Sequence, residues 1–289
     1  MTDQTPETSE SARRQLARRL RELRHAAGLT GARLAAECGW TQSKVSKIEN
    51  CRTLPQIADV EAWARATHAT SDVQAELRAL TERALTSVTD WRSELRGGRR
   101  PVQEQLRDLE ASVSAIRVYQ PLIVPGLLQT AEYARRVFTL GRRIDIDDIP
   151  EAVNARIQRQ EILYDQSRRL IFLIGEPALR FRIGPPHVLA GQLDRIVSLL
   201  DLPHLEIGVI PWSVETTVLH YHGFVIFGEP DHDDDVQVHT ETLTDILTIG
   251  QSDKVELYLA QFDKLRQAAV VQDEARSLIL SIAAELRSS

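Results

Sequence analysis

The feature that most narrows the folds open to this chain is a pair of short amphipathic segments joined at one glycine, between Gly31 and Asn50. In Gly31–Cys38, Leu34, Ala35 and Cys38 face one way at helical spacing, and in Gln42–Asn50, Val45 and Ile48 do the same. Gly39 stands at the sharp turn between them, where a positive φ is needed and a Cβ costs energy. Thr41 is placed to cap the second segment. The flanking segments complete a small core. Ser11–Ala27 offers Leu16, Leu20 and Leu23 at i, i+4 and i+7 and stops at Gly28, while Gln56–Ala66 offers Ile57, Val60 and Trp63. The pattern predicts an all-α helix-turn-helix bundle over residues 11–90, preceded by a disordered tail over 1–10.

The polar face of the second segment carries Gln42, Ser43, Lys44, Ser46 and Lys47. Glutamine can pair with the N6 and N7 of adenine and lysine can donate to the O6 and N7 of guanine, both in the major groove, which admits an α-helix. Asn50 and Arg52, past the end of the segment, are placed for phosphate, which sets register rather than sequence preference. The net charge of −6 looks wrong for a polyanion partner until its distribution is read. Residues 13–55 hold ten cations against Glu22, Glu37 and Glu49, a local charge of 10 − 3 = +7, which leaves −6 − 7 = −13 for the rest. That asymmetry is expected when one small domain meets DNA and the other does not. A helical hairpin that binds protein is the competing use of the same pattern.

The match Leu29-Thr30, Leu34-Ala35, Gly39, Thr41-Gln42-Ser43, Val45 through Asn50, Arg52 and Pro55 resembles the XRE family of helix-turn-helix regulators, related to the phage repressors and hence lambda-repressor-like. The resemblance implies double-stranded DNA as partner, with Gln42, Ser43 and Lys47 as base readers and Arg33, Lys44, Ser46, Asn50 and Arg52 on phosphate. It also implies a structural ion pair between Arg24 and Glu49. The sequence departs from the family at two places: Gly31 stands where glutamine is common, and Cys51 where glycine is common.

Ser93–Pro101, with paired glycines and a proline, reads as a boundary, so 91–102 is expected to be a linker and 103–289 a second, mixed α/β domain, making the whole α+β. Helical spacing covers Gln103–Val118, Ala131–Phe138, Glu151–Tyr164, Pro186–Leu200, Asp253–Arg266 and Gln272–Leu286. Short β-rich runs cover Leu170–Ile174, Leu205–Ile210, Phe224–Phe227 and Val236–His239, and Asp231–Asp235 reads as an exposed acidic turn. Pro121, Pro125 and Gly126 predict a bend into a helix near Gln129. Arg156, Arg159, Gln160 and Glu161 read as a solvated helix face rather than a pocket lining.

The stretch Tyr119–Arg135, with Arg156–Leu163, Gly175–Leu179, Gln192-Leu193, Ile207–Pro211, Gly223-Phe224 and Glu241-Thr242, resembles the antitoxin-like domain attached to actinobacterial XRE regulators. That resemblance implies a small partner protein encoded nearby, and the domain is expected to receive a partner or effector and to dimerise. The leading expectation is thus a homodimeric transcriptional regulator modulated by a small protein or ligand. The alternative is an antitoxin-like protein that mainly sequesters a partner and autoregulates its operon.

No catalytic residues, cofactor or metal are expected. Gly-x-Ser-x-Gly and phosphate-loop patterns are missing, and His220, His222, His232 and His239 do not form a recognised tetrahedral ligand set. Cys38 and Cys51 read as a core residue and a helix-end residue in a reducing compartment. The polar start of the chain and the lack of a long apolar run point to a cytoplasmic protein with no membrane partner.

Overall fold

The structure, a computed structural model, describes residues 9–141, 147–215, 218–233 and 235–288. The expected tail lies outside them apart from Ser9 and Glu10, which begin the first helix. The chain forms two compact units: residues up to Thr89 together with Ile246–Val255, and Asp90–Asp245 together with Glu256–Ser289.

In the first unit α1 (Ser9–Ala26), α2 (Gly31–Cys38), α3 (Gln42–Glu49), α4 (Ile57–Ala66) and α5 (Ser71–Leu85) are followed by β1 (Thr86–Asp90). Each short helix starts at a side-chain or backbone cap. Thr30 Oγ1 accepts from the Arg33 amide and Thr41 Oγ1 from the Lys44 amide, both at 3.2 Å. Gln56 and Asp59 form a reciprocal capping box at α4. Gly39 closes α2 at φ 71°, the left-handed conformation that glycine adopts without a Cβ penalty. The apolar stripe of α1 delivers Leu16 and Leu20 to a core shared with Leu34, Val45, Ile48, Val60, Trp63, Leu77 and Leu80. The Trp63 indole N–H donates to the Leu20 carbonyl at 3.1 Å, so the buried ring leaves no unmet donor.

The second unit begins with α6 (Trp91–Glu94), a 3-10 turn at Leu95–Gly97 and α7 (Arg99–Ser112). It continues through β2 (Ala115–Gln120), α8 (Ala131–Leu140), α9 (Ile149–Arg159), β3 (Arg169–Gly175), α10 (Glu176–Arg180), α11 (Pro186–Leu199) and β4 (Leu205–Ile210). Then come β5 (Phe224–Phe227), β6 (Gln237–Glu241) and β7 (Asp245–Ile249), which from Ile246 groups with the first unit. Last come α12 (Ser252–Gln267), β8 (Val270–Val271) and α13 (Gln272–Ser288).

The sheet of the second unit runs β6-β5-β2-β3-β4-β8. β2, β3 and β4 are parallel, while β5, β6 and β8 each run antiparallel to their neighbours. β3 carries the continuous apolar run Leu170–Ile174, buried throughout, as a central parallel strand covered on both faces requires. Ile116, Phe172, Ile174, Ile207 and Val209 pack with Leu189, Leu193 and Ile196 of α11 and with Ala275, Ile279 and Ile282 of α13 in one cluster. The chain is therefore α+β, a helical amino-terminal region followed by a mixed sheet-and-helix domain.

Several expectations are corrected here. The segment 91–102, expected as linker, is occupied by α6, a 3-10 turn and the first residues of α7, and the division between units falls between Thr89 and Asp90. The helix expected over Gln103–Val118 stops at Ser112, and Ala115–Gln120 pairs with both β3 and β5 as β2. Long-range strand pairing overrides a local spacing that fitted either period. The helix expected over Ala131–Phe138 forms as α8 behind a Thr130 cap, two residues past the start expected near Gln129, and that expected over Glu151–Tyr164 starts at Ile149 and ends as a 3-10 turn.

Candidate nucleic-acid interface

The geometry of α3 follows from two buried residues and one ion pair. Val45 and Ile48 are 2% and 1% exposed, which pins one face of the helix to the bundle and turns the opposite face out. On that outer face Gln42, Ser43, Ser46, Asn50 and Arg52 are exposed and Lys47 is half-buried. Arg33 is exposed on α2.

Beneath α3, Arg24 of α1 grips Glu49 through two bonds, Nε to Oε1 at 2.6 Å and the terminal nitrogen to Oε2 at 2.9 Å. It also donates to the Leu29 carbonyl at 2.9 Å. Both side chains are only 10% exposed, so this pair is a fixed joint between helices rather than a surface contact. Sequence reasoning missed the neighbouring Arg21, which donates to the Glu49 carbonyl at 2.9 Å and to Asn50 Oδ1 at 3.2 Å. Its spacing of three residues from Arg24 on α1 was the available signal.

The residues assigned to phosphate are not equivalent in the structure. Lys44 Nζ lies 2.7 Å from Asp59 Oδ1 and 4.6 Å from the centre of the Trp40 ring, so its charge is engaged by α4 and by an aromatic face. Asn50 Nδ2 donates to the Ser46 carbonyl at 2.8 Å and contacts Ser46 Oγ at 3.3 Å, capping the end of α3. Cys51 takes φ 57°, the left-handed region, at the position where the resembled family commonly has glycine. Cys51 is exposed, whereas Cys38 packs against the bundle core, where burial raises its thiol above its ordinary pKa.

In the second unit, Arg159 does not sit on a solvated face. It is buried and ion-paired with Glu110, with Nε to Oε2 at 3.0 Å, and donates to Gln103 Oε1 at 2.6 Å. Arg156 reaches Gln129 Oε1 at 2.8 Å and lies over the Phe138 ring, and the buried Gln160 donates to the Gln129 carbonyl at 2.6 Å. Only Glu161 of that set is exposed. The network joins α7, α9 and the turn after Pro125, and its polarity is explained by mutual pairing rather than by solvent.

The four histidines take separate surroundings. His220 Nδ1 is 2.6 Å from the Tyr119 hydroxyl, His222 Nε2 is 3.1 Å from the Tyr258 hydroxyl, and His239 packs edge-on to Phe227. His232 is exposed. Among the described residues, no three His, Cys, Asp or Glu side chains converge on a common point. No helix among them is long and apolar enough to cross a membrane.

Residues 15–80 match the profile of a family described as a helix-turn-helix domain, which supports a DNA-binding regulator. No curated protein matches the chain. Among solved structures, the archaeal chromatin protein TrmBL2, reported to show a novel mode of DNA binding, aligns over 84% of this chain and 87% of its own. The identity is 13% and the TM-score 0.31, a likeness too slight to argue from. Residues 103–281, more than half of the chain, match the profile of a domain of unknown function, DUF5753, and the chain belongs to that family.

Proposed function

We propose that this protein is a non-enzymatic, sequence-specific DNA-binding transcriptional regulator of the XRE type. The observation that carries the reading is the outward face of α3: Gln42, Ser43 and Lys47 on a helix locked from below by Val45, Ile48 and the Arg24–Glu49 pair. A rigidly mounted helix with amide and ammonium ends is what base-edge readout in a major groove needs. Arg33 and Arg52, exposed beside it, supply phosphate contacts, with Ser46 and Asn50 alongside; Lys44, held by Asp59, contributes less.

One α3 reads few base pairs, so the regulator acts as a homodimer on an inverted-repeat operator. The second unit supplies the modulation, through a small protein partner or a ligand, and the regulator works in the cytoplasm. Selection of bound sites from a random duplex library tests the reading. Enrichment of an inverted repeat supports it, and a pool that stays unstructured after repeated rounds overturns it.

A further inference from the structure

Strand order dictates a crossing in the second unit. β4 and β5 are consecutive in sequence but separated in the sheet by β3 and β2. Pro211, Trp212 and Val214 after β4, and His220 to Gly223 before Phe224 pairs with Tyr119, stand together at the carboxyl ends of the parallel strands. Open α/β sheets bind ligands at this edge, where helices and loops diverge above the strand ends. Here Gln120, Gly175 and Ile210, the last residues of β2, β3 and β4, form one wall of a cavity of about 550 Å³, a size that suits a metabolite. A Cβ on Gly175 would lie 2.6 Å from the Pro121 carbonyl oxygen, so the end of β3 packs tightly against the turn that follows β2, and both line the cavity.

One aromatic residue after β4 and one before β5 give the cavity an aromatic mouth. Trp212 and Tyr221 line it and are 71% and 76% exposed, far more than large aromatics in a folded domain usually are. Trp212 is anchored nonetheless. The Trp212 amide donates to the buried Glu176 at 3.1 Å, and Glu176 is in turn paired with Arg180 at 2.7 Å. Arg180 also lies over one face of the Trp212 ring, 5.3 Å from its centre, and pairs with Glu285, so its charge is already answered twice. Of the described residues lining the cavity, none is Lys, Arg, Asp or Glu. His220 and His222, both exposed, line it too, 2.6 Å from the Tyr119 hydroxyl and 3.1 Å from the Tyr258 hydroxyl, and partial burial lowers the pKa of His222.

We infer that this cavity is a binding site for a neutral, planar aromatic small molecule, stacked against Trp212 and hydrogen-bonded by the imidazole of His222. Anionic ligands such as nucleotides meet no cation among the described lining residues, and the nearby Arg180 is already held by two carboxylates. Calling the ligand an effector rests on the regulatory reading above; its binding does not.

The test is fluorescence titration of the full chain with N-phenyl-1-naphthylamine and with its 8-sulfonate, which shares the skeleton and adds one negative charge. The neutral dye is expected to saturate at one site per chain and to bind at least about tenfold more tightly than the sulfonate. Trp212→Ala weakens the neutral dye about tenfold, the scale of one lost aromatic stack. Val214→Lys, on the exposed lip, narrows or reverses the preference. Non-saturable binding, equal affinity for the two dyes, or insensitivity to either substitution overturns the assignment. DNA binding is measured on the same preparations. Saturable dye binding without DNA binding overturns the regulatory reading alone, and DNA binding without a dye site overturns the cavity alone.

Discussion

Replacing Glu49 with alanine isolates the joint that mounts α3. The substitution leaves the Arg24 guanidinium only 10% exposed with two of its hydrogen bonds lost, keeping the bond to Leu29. Removing one partner of a buried ion pair costs about 3–5 kcal/mol. The retained Leu29 bond, and the access to water that a guanidinium near the surface can regain, put this case at about 2–3 kcal/mol, or about 30- to 150-fold in a local equilibrium. Replacing both partners, as Arg24→Met with Glu49→Leu, restores most of that loss, because no unpaired buried charge remains.

Hydrogen–deuterium exchange reads the effect locally. In Glu49→Ala the amides of Val45 to Glu49 exchange faster by that factor, while those of Leu170 to Ile174 in β3 are unchanged. The double variant returns toward the parent. Parent-like exchange in the single variant, or a double variant as labile as the single one, refutes the account of Arg24–Glu49 as a buried joint.

Three further outcomes follow from particular residues. Cys51→Gly relieves a left-handed conformation that costs a side chain about 1–2 kcal/mol, against the entropy that glycine adds to the unfolded chain, for a net gain of about 0.5–1 kcal/mol in the first unit. Thermal denaturation checks it, and a lowered Tm contradicts it. Burial depresses the pKa of His239 to about 4, so the folded state stays neutral where the unfolded chain takes up a proton. Stability is then full above about pH 6.5 and falls by up to about 3 kcal/mol as pH drops towards 4. His239→Gln should flatten this part of a urea-denaturation pH profile, and an unchanged slope contradicts it. Glu110→Ala strands the buried Arg159 and costs about 3–5 kcal/mol in the second unit, whereas surface Glu161→Ala changes stability by less than about 0.5 kcal/mol. Equal urea midpoints for the two variants would show that the Arg159 network is not buried in solution.

Legibility in the sequence tracked how local the deciding forces are. α2, the Gly39 turn and α3 were readable because caps, a glycine and two apolar residues each settle their conformation within a few positions. β3, β4 and β5 were readable as dense apolar runs. β2 was not, because Leu106, Leu109, Val113 and Ile116 continue one helical stripe at i, i+3, i+7 and i+10, and pairing with residues 169–174 and 224–227 ends the helix before Val113. β7 stayed unread because its partly exposed residues lack a contrast between faces.

The same distinction holds at the candidate site. The polar face of α3 could be listed from spacing, but the engagement of Lys44 by Asp59 depends on where α4 begins. The burial of Arg159 depends on a carboxylate 49 residues away. A single arginine in a helix carries no mark of the partner that draws it inward.

The measurement that bears most directly on the central claim is the affinity of the full chain for its selected site as salt is varied, for Gln42→Ala and Arg52→Ala beside the parent. The account predicts that Gln42→Ala loses about 1–3 kcal/mol on the selected site but little on scrambled DNA, with its salt slope unchanged. Arg52→Ala should weaken both duplexes alike and reduce the slope of log affinity against log salt by about one for each chain bound. Parent-like binding by both variants, on both duplexes and at every salt concentration, would mean that α3 and its border do not face DNA.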